Sequence, residues 1–411
     1  MAGNWVDYTL GEIASFAYGK MPTSNLLSIG AYPTFSGYKY QYKYPEYNCD
    51  KGDVIVVARG VGGTGDVKIV KERCYLTNLS IKITLDNKKA DNLYFYYKHL
   101  NSNLRHLDSG SAQSQITIND LSRIAITLPP LAEQKAIASI LGALDDKIEL
   151  NRKMNATLEA MARALFKSWF VDFDPVRAKL DGGKPIGMDD DTAALFPDSF
   201  QESSLGHIPM GWKATTLSAC IGFRSGFSFK SQDWQDSGVP VVKIGSVKPG
   251  IIDLSQVSYV SEEIAHQAAR YRLSTGDMLI GMTGYVGEVG LVPPSDNLPL
   301  LNQRVGKFVM EKPGTESLAF WYCTTRQPEF KAFVEARSHG TAQANVSGEA
   351  IMEFPLVAPS PAILDAFNRE CQPMLDRILS NHAESRTLAT LRDTLLPKLL
   401  SGELSTSSES E

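Results

Sequence analysis

The chain contains one long internal repeat, and this repeat limits the possible folds more than any other feature of the sequence. The stretch KGDVIVVARG at 51–60 returns as TGDMLIGMTG at 275–284, and GSAQ at 110–113 returns as GTAQ at 340–343. Beyond the second pair, the two copies stay in step along the chain. A sequence that repeats itself over about 200 residues predicts two copies of one folding unit rather than a stack of small repeats.

Within the first copy, a glycine-rich turn has the spacing of a dinucleotide-binding fingerprint. GVGGTG at 60–65 follows an apolar, β-branched run, as such a fingerprint would. The second copy has GMTGYVG at 281–287 instead, and β-type residues follow the turn in both copies, at 67–70 and 289–292. Because a nucleotide-binding turn must open a helix, we interpret this pattern as a hairpin.

Each copy ends in a long helical pattern introduced by prolines, at 129–130 and at 359–361. Apolar residues recur there with a period of 3.5 over forty residues, which predicts a helix about 60 Å long that buries one face. In the first copy the stripe comprises Ile137, Leu141, Leu144, Ile148, Asn151, Asn155, Leu158, Ala162, Leu165 and Trp169. In the second it comprises Phe367, Cys371, Met374, Ile378, Asn381, Ser385, Leu388, Arg392, Leu395 and Leu399.

Both stripes are polar in the middle, at Asn151 and Asn155 in the first copy and at Asn381 and Ser385 in the second. The polar residues at the centres of the two helices would lie side by side in either a parallel or an antiparallel pair, so this polar layer does not determine the direction of the helices. A globular domain lies between the helices along the chain, and this connectivity favours the antiparallel pair. The alternative is that each helix packs onto its own domain. Arg392 is the one clear misfit, since it aligns with Ala162.

Composition excludes several classes of protein. A hydrophobic content of 43% is ordinary for a folded domain, and no apolar run approaches the length of a membrane span. The five cysteines form no C-x-x-C pair, and neither a phosphate-binding loop nor an adenine methyltransferase signature is present. We therefore expect a cytoplasmic protein with no catalytic residues, no metal and no cofactor. The net charge of −5 argues mildly against binding nucleic acid unaided.

The central helical region carries a familiar series of motifs. Glu133-Gln134 follows the prolines, Asp145-Asp146-Lys147-Ile148 lies midway, and Phe166-Lys-Ser-Trp169-Phe170 closes the run. Together these resemble the central conserved region of the specificity subunits of type I restriction-modification enzymes. The loops GSAQSQI and GTAQANV resemble the family's Gly-Ser/Thr-x-Gln loop. Only the second helix departs from the pattern, because Pro359-Ser-Pro361-Ala-Ile lacks the Glu-Gln pair.

The resemblance implies an α+β fold. Two similar mixed α/β target recognition domains would be joined by two long antiparallel coiled-coil helices, with a pseudo-two-fold internal repeat. Each domain would read one half of a bipartite site in double-stranded DNA, and the helices would set the spacer. Two modification (methyltransferase) subunits would dock on the helices, and restriction (translocase and nuclease) subunits would join afterwards. The chain itself would have no activity.

The domain boundaries follow from the repeat and from the resemblance. We predict recognition domain 1 at 1–129, the central helix at 130–170, a linker at 171–205, recognition domain 2 at 206–358, the distal helix at 359–400 and a disordered tail at 401–411.

Reading base edges requires side chains that pair donors with acceptors, and the glycine-rich loops with polar tips supply them. The candidate DNA-binding residues are Tyr38, Lys39, Arg59, Gln113, Ser114, Gln115, Thr283, Tyr285, Arg304, Gln343 and Asn345. Gln113 and Gln343 recur in both copies, so they could equally be structural loop amides. The rival hypothesis for the whole chain is a coiled-coil scaffold whose duplicated domains bind proteins.

Overall fold

The computed structural model describes residues 5–37, 39–60, 63–108, 114–310, 318–340 and 344–405. The chain divides into two compact units. Unit 1 comprises Met1–Ile148 with Thr387–Glu411, and unit 2 comprises Glu149–Arg386. Both division points fall inside the two predicted long helices, so each unit contains part of both helices. No helix among the described residues has the length and apolar character needed to cross a membrane.

Unit 1 is built mainly of short strands. Its elements are β1 (Val6–Thr9), α1 (Leu10–Ile13), β2 (Ala14–Tyr18), β3 (Tyr32–Ser36), β4 (Lys39–Tyr44), β5 (Val54–Val57), β6 (Val67–Ile69), β7 (Tyr75–Leu76), β8 (Ser80–Leu85), α2 (Asn92–Lys98), α3 (Ile118–Ser122), β9 (Ala125–Leu128) and the first part of α4 (Leu131–Phe170). The sheets have the strand orders β2-β8-β5-β6, β4-β3-β7 and β1-β9.

Unit 2 begins in α4 and repeats this plan with additions. Its further elements are α5 (Asp174–Leu180), α6 (Asp190–Leu195), β10 (Phe200–Ser203), β11 (Gly206–Pro209), β12 (Lys213–Thr216), α7 (Leu217–Cys220), β13 (Gly222–Ser225), β14 (Trp234–Gln235), β15 (Val239–Val242), β16 (Val247–Lys248), β17 (Gly250–Ile252), β18 (Ser258–Val260), α8 (Glu262–Gln267), β19 (Met278–Gly281), β20 (Val289–Leu291), β21 (Leu300–Leu301), β22 (Val305–Val309), α9 (Leu318–Thr325), α10 (Pro328–Ala336), α11 (Gly348–Met352), β23 (Pro355–Ala358) and the first part of α12 (Pro361–Leu400).

Strand topology confirms the predicted repeat. The order β2-β8-β5-β6 in unit 1 corresponds to β13-β22-β19-β20 in unit 2, where β17 and β16 extend the same sheet. The pair β1-β9 corresponds to β12-β23, and the parallel pair β3-β7 corresponds to β15-β21. Two copies of one α/β unit, each ending in a forty-residue helix, are the predicted fold class.

The glycine-rich turn of the first copy joins two strands. β5 pairs antiparallel with β6, and the equivalent β19 pairs antiparallel with β20. A dinucleotide-binding turn would instead lead into a helix whose N-terminus faces a phosphate. The interpretation as a hairpin is therefore confirmed, and the resemblance to the nucleotide fingerprint is coincidental.

A Gly-Asp turn precedes the central strand in both units. Gly52 and Gly276 have φ angles of +91° and +82°, a conformation that glycine adopts without steric cost. The aspartate that follows accepts a backbone hydrogen bond across the turn, Asp53 from Asp50 N at 2.8 Å and Asp277 from Ser274 N at 2.7 Å. The repeated Gly-Asp in the sequence is thus a structural turn.

The start of α4 is fixed by a buried amide. Gln134 is 1% exposed and uses both ends of its side chain. Its Nε2 donates to Lys89 O at 2.9 Å and to Pro129 O at 2.8 Å, while its Oε1 accepts from Asp91 N at 3.0 Å. These bonds attach the helix to the loop before α2, which explains why a glutamine follows the prolines.

In unit 1 the two long helices pair antiparallel. Ile137 and Leu141 share a buried core with Leu396 and Leu399. One turn nearer the helix centres, Arg392 Nη1 donates to Asp145 Oδ1 at 2.7 Å. Arg392 misfits the apolar stripe because its partner on α4 is a carboxylate.

In unit 2 the helices also pair antiparallel, through the four polar stripe residues. Asn381 Nδ2 donates to Asn155 Oδ1 at 2.7 Å, and Asn151 Nδ2 donates to Ser385 Oγ at 3.3 Å. Asn151 also donates to Glu384 Oε2 at 2.8 Å, a partner that the periodicity did not indicate. Since Asn151 and Asn381 are almost fully buried, a shift of one turn would leave their NH₂ groups without these acceptors.

The segment 171–205, expected as a linker, carries α5, α6 and β10. Its Val176 and Phe196 are 0% and 2% exposed and belong to the core that also contains Trp169. At the other end of the chain, residues 401–405 continue from α12 as a turn, in which Leu404 N donates to Lys398 O at 3.1 Å. The rest of the expected tail lies outside the described residues.

Candidate nucleic-acid interface

In unit 1, the end of β5 lies beside the strand-like segment that follows the glycine-rich loop. Arg59 and Gln115 face each other in an isolated antiparallel bridge, and Ile116 N donates to Ala58 O at 3.0 Å. On its other side, Ala58 N donates to Leu79 O at 2.9 Å, and Arg59 N donates to the same oxygen at 3.0 Å. Arg59 is exposed and Gln115 is partly exposed. We refer to the residues Ala58, Arg59, Gln115 and Ile116 as the unit 1 junction.

A carboxylate holds the incoming loop of this junction. Asp108 accepts from Gln115 N at 2.8 Å and also from the hydroxyl of Ser114. The Ser114 hydroxyl therefore already donates a hydrogen bond within the free protein, whereas the Gln115 side chain is positioned through the hydrogen bond of its backbone N–H. The sequence analysis did not single out Asp108, because it precedes the GSAQSQI loop, where only the polar residues of the loop itself were considered.

Unit 2 contains the same backbone arrangement. Thr283 and Asn345 form an isolated antiparallel bridge, and Val346 N donates to Met282 O at 2.9 Å, in the place of the bond from Ile116 to Ala58. Met282 N donates to Arg304 O at 3.1 Å, so Arg304 occupies the place of Leu79. We refer to the residues Met282, Thr283, Asn345 and Val346 as the unit 2 junction.

The side chains of the unit 2 junction bond to each other. Thr283 Oγ1 donates to Asn345 Oδ1 at 2.7 Å, which fixes the orientation of the Asn345 amide and turns its NH₂ group away from Thr283. The backbone of Asn345 exchanges two hydrogen bonds with His339, at 2.8 and 2.9 Å. Asn345 is exposed, whereas Thr283 is only 8% exposed. The buried threonine hydroxyl therefore holds the exposed amide in place from the protein side.

An exposed aromatic ring lies next to the unit 2 junction. Tyr285 is 56% exposed, and the Lys248 ammonium lies 5.5 Å from the centre of its ring. Gly284 N, between Thr283 and Tyr285, donates to Ala344 O at 3.0 Å and holds this turn against the loop. An exposed tyrosine beside a cation can offer a nucleic acid both stacking and charge.

The remaining candidate DNA-binding residues are not among the residues that form the two junctions. Lys39 is exposed at the start of β4, an edge strand, and is not part of the unit 1 junction. Arg304 is exposed on the turn before β22. Tyr38, Gln113 and Gln343 lie outside the described residues.

The polar side chains of both junctions have donors and acceptors that can pair with base edges. Arginine offers paired donors and asparagine or glutamine offers one donor with one acceptor, the combinations that match base edges. Within the described ranges, no group of three or more histidine, cysteine, aspartate or glutamate side chains is placed to hold a metal ion. Each junction thus presents polar side chains on a rigid backbone frame.

Comparison with known proteins gives a consistent result. Residues 2–160 match a family described as the type I restriction modification DNA specificity domain. The chain is 28% identical over 331 residues to the HindI specificity subunit of Haemophilus influenzae, covering 71% of each chain. It is 23% identical to the MjaVIII specificity subunit of Methanocaldococcus jannaschii over 98% of this chain and 93% of that one.

A solved structure shares the fold. The crystal structure of a type I restriction-modification system S subunit from M. genitalium superposes with a TM-score of 0.64, at 19% identity and over 96% of both chains. The family match lies in the first copy of the repeat and the central helix, the same part of the sequence that carries the Glu-Gln motif. Residues 2–160 are therefore similar to the DNA specificity domain of this family, and nearly the whole chain is similar to specificity subunits of type I restriction enzymes.

Proposed function

We propose that this chain gives a type I restriction-modification complex its DNA sequence specificity, and that units 1 and 2 each read one half of a bipartite site in double-stranded DNA. One observation carries this proposal. The two units hold the same backbone junction but place Arg59 and Gln115 on one and Thr283 and Asn345 on the other. A common frame with different polar side chains is what two readers of different half-sites require.

The paired helices would set the spacer between the half-sites and dock the modification subunits. The buried Asn155–Asn381 bond supports this role, because it resists sliding of one helix along the other. Adenine methylation, translocation and cleavage would belong to the partner subunits, and this chain would catalyse nothing. Such a complex would act in the cytoplasm, where the DNA lies.

The acidic balance of the chain is compatible with this function. With a net charge of −5, the chain alone would gain little from counterion release. Methyltransferase subunits that clamp the phosphates would supply the missing attraction. DNA binding should accordingly be weak for the isolated chain and tight for the complex with its methyltransferase.

The test is to map methylated adenines in cells that express the chain with its methyltransferase, before and after Gln115→Ala or Asn345→Ala. Each substitution should relax one half-site only, by about 10- to 100-fold at the base pair that is read. A bipartite motif that weakens equally at all positions would show that these residues do not read bases. A chain that directs methylation to no defined motif would favour the scaffold hypothesis.

A further inference from the structure

Unit 2 contains a cationic cleft whose lining includes none of the four residues of the unit 2 junction. Its volume is about 310 Å³, and it opens between the segment leading into β14, the end of β15 and the turn before β22. The cleft is lined by Phe229, Ser231, Trp234, Lys243, Ile244, Asn302, Gln303 and Arg304. Two of these residues are cationic, and none is acidic.

Lys243 is held in place by an aromatic ring. Its ammonium lies 3.7 Å from the centre of the Trp234 ring, close enough for a strong cation–π contact. Burial lowers the pKa of Lys243, and no opposing attraction from a carboxylate accompanies this shift. A partly desolvated ammonium without a carboxylate partner is primed to bind an anion.

Arg304 supplies a second cation on the same cleft. Asn302 Oδ1 accepts a hydrogen bond from Arg304 N at 3.0 Å, so the turn that carries the arginine is ordered. The nearby Asp233 is already engaged, because it accepts from Lys230 N at 2.7 Å. No ion pair joins Lys243 or Arg304 to a carboxylate among the described residues.

The equivalent positions of unit 1 carry neither charge. The parallel pairing of β15 with β21 matches that of β3 with β7, and this register aligns Lys243 with Ser36. Arg304 aligns with Leu79 through the backbone bonds to the two junctions. The cleft is therefore not part of the shared frame, and both of its cations are specific to unit 2.

The surroundings of the two cations favour an anion over a base. Lys243 occupies a face of the Trp234 ring, which excludes a base from stacking there. We propose that this cleft binds a phosphate of the DNA backbone through Lys243 and Arg304, and thereby anchors unit 2 while its junction reads the bases. This proposal rests on the proposed DNA-reading function.

The experiment compares Lys243→Gln, Arg304→Gln and the double variant in the complex with the methyltransferase. DNA affinity is measured from 50 to 200 mM salt on a duplex that carries the methylated motif. Each single substitution should lower the affinity and reduce the slope of log K against log salt by about 1, while the methylated motif stays unchanged. Lys213→Gln removes an exposed charge elsewhere in unit 2 and serves as the matched control.

A neutral methylphosphonate, placed at one backbone position at a time, identifies the phosphate. One position should weaken the wild-type complex and leave the double variant unaffected. Equal melting temperatures, and recovery of affinity with Lys243→Arg, would show that the variants are folded.

Three results would overturn the proposal. A relaxed base pair in the second half-site would make Arg304 or Lys243 a base reader. Affinities equal to that of Lys213→Gln would remove the cleft from the interface while leaving the proposed function intact. A wild-type complex with no preference for any motif would contradict the proposed function and this anchor together.

Discussion

The two junctions share a backbone and differ in how their side chains are held. In unit 1, Arg59 is exposed and the incoming loop is fastened by Asp108. In unit 2, the buried hydroxyl of Thr283 fastens the Asn345 side chain itself. Unit 1 therefore orders the backbone and leaves the long Arg59 side chain exposed, whereas unit 2 orders the Asn345 side chain itself. The two copies thus share a backbone frame and differ in the side chains that it presents.

Replacing the two polar side chains of the unit 1 junction by those of unit 2 should give the largest change in methylation. In the double variant Arg59→Thr/Gln115→Asn, methylation at the original motif should fall about 100-fold or more, because two contacts worth about 1–3 kcal/mol each are removed. Mapping of methylated adenines should show the loss confined to one half-site. Loss of both half-sites in a chain that still melts at the wild-type temperature would contradict independent reading by the two units.

The Gly-Asp turns offer a comparison of stability. Asp277 is paired with Lys307 at 2.7 Å, with side chains 14% and 21% exposed, and the equivalent Asp53–Lys82 pair is 22% and 26% exposed. Asp277→Ala should lower the free energy of unfolding of unit 2 by about 2–3 kcal/mol and Asp53→Ala that of unit 1 by about 1–2 kcal/mol. Hydrogen exchange read separately in each unit measures both. Recovery in Asp277→Ala/Lys307→Met would assign the loss to the unpaired ammonium, and equal losses in the two units would contradict the ranking by burial.

Removing the support beneath Asn345 should have a smaller effect. Thr283→Val keeps the shape of the side chain but deletes the donor to Asn345 Oδ1. We expect the complex to bind its second half-site about fivefold more weakly, the cost of one net hydrogen bond, with the first half-site unchanged. Fluorescence anisotropy with duplexes altered in one half-site measures this, and Thr283→Ser should retain wild-type binding. Equal binding by the valine variant would mean that the amide is ordered by its backbone alone.

The smallest effect concerns the shared frame itself. Gly52→Ala and Gly276→Ala place a methyl group where nothing lies within 3.9 Å, so only the strain of a positive φ is added. Each should reduce the stability of its own unit by about 1 kcal/mol, and by the same amount. Thermal unfolding of both variants checks this, and a clearly larger loss in one unit would show that the two turns are no longer equivalent.

Much of this fold could be read from the sequence because it is periodic. The repeat fixed the number of units, and the 3.5-residue stripe indicated helices that bury Asn151 and Asn381. The misfit of Arg392 could not be explained in advance, since its partner Asp145 is 247 residues away and lies off the stripe. Contacts of that kind depend on register, which periodicity alone does not give.

The candidate site was only partly accessible to the same reasoning. Arg59 faces Gln115 and Thr283 faces Asn345, but these pairings follow from strand neighbours that the sequence does not state. Lys243 was missed because a single lysine after an apolar strand is unremarkable. Aligning Val239-Pro240-Val241-Val242-Lys243 with Tyr32-Pro33-Thr34-Phe35-Ser36 on the shared proline could have exposed the change of charge.

The way the chain divides also has a consequence for its biosynthesis. Residues 149–386 of unit 2 are continuous, whereas the core of unit 1 needs Leu396 and Leu399 from the far end of the chain. A ribosome that adds about 5–20 residues per second would release all residues of unit 2 before the last segment of unit 1 is available to complete its core. The part of unit 1 that is made first must therefore wait about 10–50 s at those rates, with the apolar side chains of Ile137 and Leu141 unpaired. This waiting period is the step of folding that is most exposed to chaperones and proteases.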